Sequence, residues 1–253
     1  MARKTYIVGN CKMHLSPSES SLFVARLLKE VPKVPAGVEA VLCPPVVDLT
    51  TVRSELRGHD HFKVGVQNIY PADEGAYTGE TSAAMVEDLA QYAIVGHSER
   101  RHVFGERDGI IAQKLAACLR HGVTPILCVG ETGHDRSNGH AAQVVADQLE
   151  AALTLLTPEE LHDIVIAYEP VWAIGTGENA TAQDAAEMFS VIRAWLQVRH
   201  TPAIAKSVPL LYGGSVKADN AGQYLALDDC AGLLVGGASV NYIEFAGILD
   251  AAK

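Results

Sequence analysis

The sequence predicts an α/β fold in which eight parallel strands and their helices close into a (β/α)8 barrel, and three observations support this. Eight short apolar runs recur along the chain, each apolar almost throughout, as is typical of strands buried on both faces. Segments with helical periodicity separate these runs. The chain has 253 residues, a length at which such a barrel commonly forms one domain. We therefore expect a single domain over residues 1–253.

The predicted strands are short and rich in β-branched residues. They cover residues 6–8, 40–43, 63–67, 92–95, 124–129, 164–168, 208–212 and 232–235. The segments with helical periodicity include residues 22–28, 46–56, 110–119, 141–153 and 182–198. Capping signals predict helix starts at Ser16-Pro17-Ser18-Glu19, at Thr157-Pro158-Glu159-Glu160 and, in a looser form, at Thr181-Ala182-Gln183-Asp184.

An open, doubly wound sheet is the alternative fold for this pattern. It would require a Gly-x-Gly-x-x-Gly loop after the first strand. The residues there are Val8-Gly9-Asn10-Cys11-Lys12-Met13, which do not fit that loop, so the closed barrel is favoured.

Composition limits the class of protein. The net charge is −10, which argues against nucleic acid or an anionic membrane as a partner. No apolar stretch approaches the roughly 20 residues that span a bilayer, and the amino terminus does not resemble a signal peptide. The five cysteines are widely spaced without a Cys-x-x-Cys pair, so we expect reduced thiols in a cytoplasmic protein. No metal-ligand spacing is present, and we expect no metal site.

Polar residues follow several of the predicted strands. Asn10 and Lys12 follow the first, His97 the fourth and Glu169 the sixth, and glycine-rich turns follow the seventh and eighth. Taken alone, each of these features more often has a structural role than a functional one. Because the carboxyl ends of the strands meet on one face of a barrel, we expect the set to form one site.

The turns after the last two strands predict a phosphate site. Backbone N–H groups at Ser215, Gly236 and Gly237 would hold the phosphate, joined by an amide near Gly175. Lys12 would add positive charge. Glu169 then suits removal of a proton from carbon, and His97 suits donation of a hydrogen bond to the oxygen that gains charge. Two interpretations of Glu99 stay open, as a partner of Lys12 or as a second acid.

The segment after Glu169 predicts a mobile lid. A rigid corner at Pro170 leads into a tip rich in glycine, which would let the segment close over a ligand. The predicted lid consists of Val171, Trp172, Ala173, Ile174, Gly175, Thr176, Gly177, Glu178, Asn179 and Ala180.

Together these motifs resemble those of the triosephosphate isomerase family over nearly the whole chain, in the same order. The most specific is the stretch 167–180. The others are Gly9-Asn10-Cys11-Lys12-Met13, Gln67-Asn68, Gly75-Ala76-Tyr77-Thr78-Gly79-Glu80, Gly96-His97-Ser98-Glu99-Arg100-Arg101, Tyr212-Gly213-Gly214-Ser215-Val216 and Leu234-Val235-Gly236-Gly237-Ala238-Ser239.

The resemblance implies a TIM barrel that interconverts dihydroxyacetone phosphate and glyceraldehyde 3-phosphate through an enediolate, without a cofactor, in glycolysis and gluconeogenesis. It implies that Glu169 is the base, His97 a neutral electrophile, and Lys12, with Asn10 beside it, a binder of substrate charge. A position at the start of a helical turn would help to keep His97 unprotonated.

The resemblance also implies a homodimer. The loop containing Gly75, Tyr77, Thr78 and Gly79 would reach into a neighbouring subunit near its Asn10 and Lys12, although the sequence alone also fits a loop on the free surface.

The chain departs from the family pattern at Cys11, where tryptophan is usual, at His14, where asparagine is usual, and at Glu178, where lysine is common. Cys11 has two interpretations. It is either a thiol activated by the neighbouring Lys12, or a small buried filler.

Two other functions compete with isomerisation. One is an aldolase or lyase that uses Lys12 as a Schiff base, and the other is a barrel that binds phosphate ligands without catalysis. The presence of both Glu169 and His97 favours the isomerase.

Overall fold

The computed structural model describes residues 4–174 and 179–253, and its strands form one closed barrel. All neighbouring strands are parallel, in the order β1 to β8. The first and last strands close the ring, where Ile7 of β1 pairs with Leu233 of β8. The strands are β1 Thr5–Asn10, β2 Val38–Cys43, β3 Phe62–Val66, β4 Tyr92–Val95, β5 Thr124–Val129, β6 Val165–Tyr168, β7 Leu210–Tyr212 and β8 Cys230–Val235. The predicted (β/α)8 barrel is confirmed, and all eight predicted strands are present with ends that differ by a few residues.

Helices connect the strands. In the described ranges the α-helices are α1 Pro17–Glu30, α2 Leu49–Glu55, α3 Ala83–Val86, α4 Ser98–His102, α5 Asp108–Arg120, α6 Gly133–Ser137, α7 Ala141–Leu153, α8 Ala182–Arg199, α9 Pro202–Ser207, α10 Ala221–Leu225 and α11 Tyr242–Asp250. Short 3-10 helices cover Val46–Asp48, Glu160–Asp163, Val171–Ala173 and Gly237–Val240. Outside residues 1–3 and 175–178, no helix is long and apolar enough to cross a membrane.

The near-continuous apolar character of the strands follows from two separate cores. Successive side chains of a strand point to opposite faces. Val8 therefore lies inside the barrel with Val41 and Ile94, while its neighbour Ile7 packs in the layer between strands and helices. Both faces are buried, so neither face favours polar residues.

Two of the three predicted helix starts are confirmed. Ser16 with Glu19 forms a capping box ahead of α1, and Thr181 with Asp184 forms one ahead of α8. At the third site the expected bonds also form, since the Thr157 N–H donates to Glu160 Oε2 at 2.8 Å. Only the short 3-10 helix at 160–163 follows, so the predicted helix is wrong. Strand β6 begins at 165, which leaves no room for further turns.

Candidate active site

A cavity of about 660 Å3 opens at the carboxyl ends of the strands. The predicted site residues that line it are Asn10, Lys12, His97, Glu169, Ser215, Gly236 and Gly237. The structure therefore brings together residues that are up to 227 positions apart in the printed numbering, from Asn10 to Gly237. Gly175 lies outside the described residues.

Glu169 and His97 meet at the base of this cavity. Nε2 of His97 lies 3.0 Å from Oε1 of Glu169, and the backbone N–H of Ser98 donates to Oε2 at 2.8 Å. Both side chains are buried. Glu169 comes directly after β6, and His97 follows β4 by two residues. Each strand end therefore contributes one half of an acid–base pair.

Burial and pairing act in opposite directions on Glu169. Burial raises the pKa of the carboxyl, but the charge and hydrogen bond of His97 and the bonds from Ser98 outweigh it, so the pKa lies below its usual value. The carboxylate is thus ionised at neutral pH despite its burial.

His97 is the N-cap residue of α4, and its Nδ1 accepts a hydrogen bond from the Glu99 N–H at 3.2 Å. This bond fixes the proton on Nε2, the nitrogen that faces Glu169. Burial lowers the pKa of His97, yet the charge and hydrogen bond of the Glu169 carboxylate, with a smaller effect of Glu99, together raise it. Two influences therefore oppose each other at His97: the helix start and the Glu99 N–H favour the neutral imidazole, and the Glu169 carboxylate favours the imidazolium.

Lys12 is held over the cavity in an unusual backbone conformation. Its φ is 51°, in the left-handed region that few residues other than glycine adopt. The Gln67 side-chain amide donates to the Lys12 carbonyl at 2.8 Å, and the Lys12 N–H donates to Asn10 Oδ1 at 3.0 Å. Nζ lies 2.5 Å from Glu99 Oε1. Of the two interpretations of Glu99, the structure has the ion pair with Lys12.

The glycines opposite Lys12 leave space that a side chain would fill. A Cβ atom at Gly236 would lie 3.2 Å from Cε of Lys12, and one at Gly214 would lie 2.2 Å from the Tyr212 hydroxyl. Ser239 joins this side of the site to β1, because its Oγ donates to the Asn10 carbonyl at 2.9 Å. Gly236 and Lys12 therefore lie side by side on the lining of the cavity.

Comparisons with known proteins agree with this geometry. The family model described as "Triosephosphate isomerase" matches residues 5–252. A protein of that name from Streptococcus thermophilus is 43% identical over the full length of both chains. One from Thermoanaerobacter sp. is 42% identical over 98% of this chain and 99% of its own, and one from Chloroflexus aurantiacus 43% over 96% and 97%. This chain belongs to the triosephosphate isomerase family. The predicted family and the predicted isomerase are confirmed.

At Cys11, where the family usually has tryptophan, the structure decides between the two interpretations. The thiol is buried, and burial raises its pKa to about 12, with only a partial opposing effect from Ser239. The activated-thiol hypothesis is wrong, and Cys11 is a buried filler. The other departure near Lys12, His14, is exposed and lines the cavity.

Sequence reasoning missed Glu131, which holds the start of the predicted lid. This fully buried carboxylate accepts hydrogen bonds from Trp172 Nε1 at 2.8 Å and from the Tyr168 hydroxyl at 3.1 Å. Its position directly beyond β5, after Gly130, was the available signal, since other strand ends carry site residues. Ser98 and Gln67 lie within the motifs of the family resemblance, but the sequence does not predict their hydrogen bonds to Glu169 and Lys12.

The predicted lid is described only in part. Val171–Ala173 forms a 3-10 helix, and at the far end Ala180 is buried, with its carbonyl accepting from the Tyr224 hydroxyl at 2.7 Å. Gly175, Thr176, Gly177 and Glu178 lie outside the described residues.

The predicted dimer loop projects from the barrel. Gly75, Tyr77, Thr78 and Gly79 are all exposed. The base of the loop is closed by a hydrogen bond from the Tyr70 N–H to the Thr81 carbonyl at 2.7 Å.

Proposed function

We propose that this protein interconverts dihydroxyacetone phosphate and glyceraldehyde 3-phosphate, with Glu169 as the base and His97 as the electrophile. The observation that carries this assignment of roles is the 3.0 Å contact of the two side chains within the cavity that the glycine-rich turns also line. The reaction belongs to glycolysis and gluconeogenesis.

The reaction begins with removal of a proton from C1 of dihydroxyacetone phosphate by Glu169. The C–H electron pair forms the C1–C2 double bond, and the carbonyl electrons move to O2, where the Nε2–H of His97 donates a hydrogen bond. The enediolate gains a proton at O2 and loses the proton of O1, a transfer that the imidazole of His97 suits. Return of the carbon-bound proton from Glu169 to C2, as the C1–O1 double bond forms, then gives the aldose. No cofactor is needed, because the proton that leaves one carbon is returned to its neighbour.

The Glu169 side chain has to give up its hydrogen bond from the Ser98 N–H and rotate before it can reach the substrate. Both of its oxygens are engaged, one with His97 and one with the Ser98 N–H at 2.8 Å. When it turns toward C1, it loses the contacts that lower its pKa while remaining buried, so it becomes a stronger base. His97 at the same time loses the carboxylate that raises its pKa, which favours the neutral imidazole.

Lys12 and the glycine-rich turns are proposed to bind the phosphate. The turn at Gly236 has no side chain, so a phosphate can approach its backbone N–H groups next to the Lys12 ammonium. Asn10 supports this arrangement through its bond to the Lys12 N–H. Ser215 and Gly237, which line the same cavity, complete the proposed phosphate cradle, with Gly175 as a lid contact.

The ion pair of Lys12 argues against the aldolase alternative. Its Nζ lies 2.5 Å from Glu99 Oε1, and an ammonium ion has no lone pair with which to attack a carbonyl. Borohydride treatment in the presence of substrate should therefore give no covalent adduct.

We propose that the active form is a homodimer. Several apolar side chains near the cavity end of the barrel are exposed, including Met13 at 94%, Val47 at 66% and Met85 at 64%. A large exposed apolar area of this kind favours a protein partner, and the exposed loop with Gly75, Tyr77, Thr78 and Gly79 offers a matching projection. The partner we propose is a second copy of this chain.

A cytoplasmic location is also proposed. It rests on the cysteines, because Cys11, Cys43, Cys118 and Cys128 are buried as thiols in the fold. Thiols at these positions suit a reducing compartment.

Solvent deuterium incorporation tests the proposed chemistry. During turnover in D2O, the wild-type protein should incorporate deuterium at carbon, and E169Q should lose this exchange and several orders of magnitude in kcat while still binding substrate. The control is E187Q, a change on the exposed face of α8 that should alter neither measurement. Exchange at the wild-type rate in E169Q would exclude Glu169 as the base.

A further inference from the structure

A histidine near the base of the predicted dimer loop joins three segments of the chain. His121 follows α5, Glu87 follows α3, and Asp73 lies in the loop between β3 and α3. Nδ1 of His121 lies 2.6 Å from Glu87 Oε2, and Nε2 lies 3.0 Å from Asp73 Oδ1. We call His121, Asp73, Glu87 and Arg120 the His121 clasp.

Only a protonated His121 satisfies both contacts. A neutral imidazole has one N–H and one lone pair, so one ring nitrogen would face a carboxylate oxygen without a proton between them. The imidazolium donates from both nitrogens. Consistent with this, the hydrogen bond to Glu87 raises the pKa of His121, and the contacts with Asp73 add to the rise, against an opposing effect of burial.

Asp73 is held from a second side. Nη2 of Arg120 lies 2.5 Å from Asp73 Oδ1, and Arg120 and His121 lower the pKa of Asp73. Asp73 therefore stays charged at any pH at which His121 titrates. Glu87 and Asp73 are the charged groups that contact the ring in the part of the chain that the structure describes.

The clasp is anchored next to the projecting part of the loop. Asp73 comes two residues before Gly75, whose φ of 139° starts the turn. The ring of Tyr77 in the projecting part packs on Tyr70, with centroids 4.4 Å apart. Besides the backbone hydrogen bond between Tyr70 and Thr81 at its base, the loop is therefore attached by packing at Tyr70 and by charge at Asp73.

We infer that His121 is a positioning residue for this loop: as an imidazolium it holds the loop in the conformation that enters the second subunit, and the dimer weakens when His121 loses its proton. This inference rests on the proposed homodimer. It makes assembly, and through assembly the site, respond to pH at a residue remote from the reacting atoms.

The direction of the pH dependence follows from the raised pKa. The contribution of the clasp is complete below the ordinary histidine value of about 6.5 and is lost as the pH rises through the raised value. Because the carboxylates are about half exposed, at 45% for Asp73 and 46% for Glu87, added salt should weaken the effect.

Sedimentation equilibrium at low salt tests this. For exposed ion pairs, we expect the dimer dissociation constant of the wild type to rise roughly fivefold between about pH 6 and pH 9. H121Q should have the higher dissociation constant, like that of the wild type at about pH 9, at both pH values. R120Q should weaken the dimer but keep the pH dependence, because His121 can still titrate. H61Q, on a loop at the other end of the barrel, is the matched control and should behave as wild type.

Two outcomes would overturn the inference, and they are distinguishable. If H121Q retains the wild-type constant and the wild-type pH dependence, and its thermal unfolding shows a folded protein, the clasp does not position the loop. If the wild type sediments as a fully active monomer at every concentration, the proposed homodimer fails and this inference fails with it.

Discussion

Substitution of Gly130 by alanine should disable the site without touching a reacting group. Gly130 directly follows β5, and the Gln148 side chain fixes its backbone. The Gly130 N–H donates to Gln148 Oε1 at 2.8 Å, and the Gly130 carbonyl accepts from Gln148 Nε2 at 3.0 Å. A Cβ at this position would lie 1.7 Å from the carbonyl oxygen of Glu169, half the 3.4 Å at which ordinary contact begins. The neighbour is backbone, so no side-chain rotation relieves the clash.

The expected consequence is displacement of Glu169 relative to His97. The two backbones must separate by more than an ångström, and a misplacement of about 1 Å near the reacting atoms can cost roughly 100-fold in rate. We expect kcat/KM of G130A to fall by about 100-fold or more, with a loss of about 1–3 kcal/mol in the free energy of unfolding from overpacking. Steady-state kinetics and thermal unfolding measure the two effects separately.

The matched control is G109A, in the first turn of α5. A Cβ there meets no atom within 4 Å, so activity should be unchanged, with stability equal or higher by about 0.5–1 kcal/mol. If G130A kept kcat/KM within about threefold of wild type, the ends of β5 and β6 would be free to separate without moving the carboxylate, and the reasoning would be refuted.

Three further predictions concern charges and thiols. K114M should lose about 1–3 kcal/mol in urea unfolding, because the buried Glu106 carboxylate loses Lys114 Nζ at 2.7 Å and keeps Arg100 Nε at 2.5 Å; an unchanged unfolding free energy would contradict this. Cys11 should react with iodoacetamide no faster than an ordinary buried thiol, since burial raises its pKa to about 12, and rapid labelling in the native protein would restore the activated-thiol hypothesis. The lowered pKa of Glu169 contributes stability that is present above about pH 4.3 and lost as the pH falls through the folded-state value; the unfolding free energy of the wild type should therefore drop more steeply in acid than that of E169Q, and parallel curves would exclude this contribution.

Much of the fold could be predicted because its signals are local. Strands buried on both faces carry continuous apolar runs, and the capping boxes at Ser16 and Thr181 involve residues three positions apart. The same local chemistry formed at Thr157 without starting an α-helix, because the next strand begins only a few residues later. A capping signal shows where a helix can begin, but it does not show how many residues remain before the next strand.

The candidate site was predicted as a set of residues but not as an arrangement. The order of strands requires that residues following β1, β4, β6, β7 and β8 meet on one face, so Lys12, His97 and Glu169 could be named together from the sequence. Their mutual distances could not. The proton position on His97 depends on a backbone N–H of Glu99, and its pKa depends on how closely Glu169 approaches.

The sequence by itself thus determined which residues lie at the carboxyl ends of the strands, because alternation and order along the chain decide this. Only the tertiary structure decided which way each side chain points and what it meets. Cys11 stands next to Lys12 in the chain, yet its thiol is buried and influenced by Ser239, from the last β/α unit. In the sequence Gly130 looks like any glycine of a turn, yet in the fold its lack of a side chain leaves space for the backbone of Glu169. Contacts between segments that are distant in the chain are set by packing in three dimensions. The spacing of residues in the sequence therefore does not predict any individual contact of this kind.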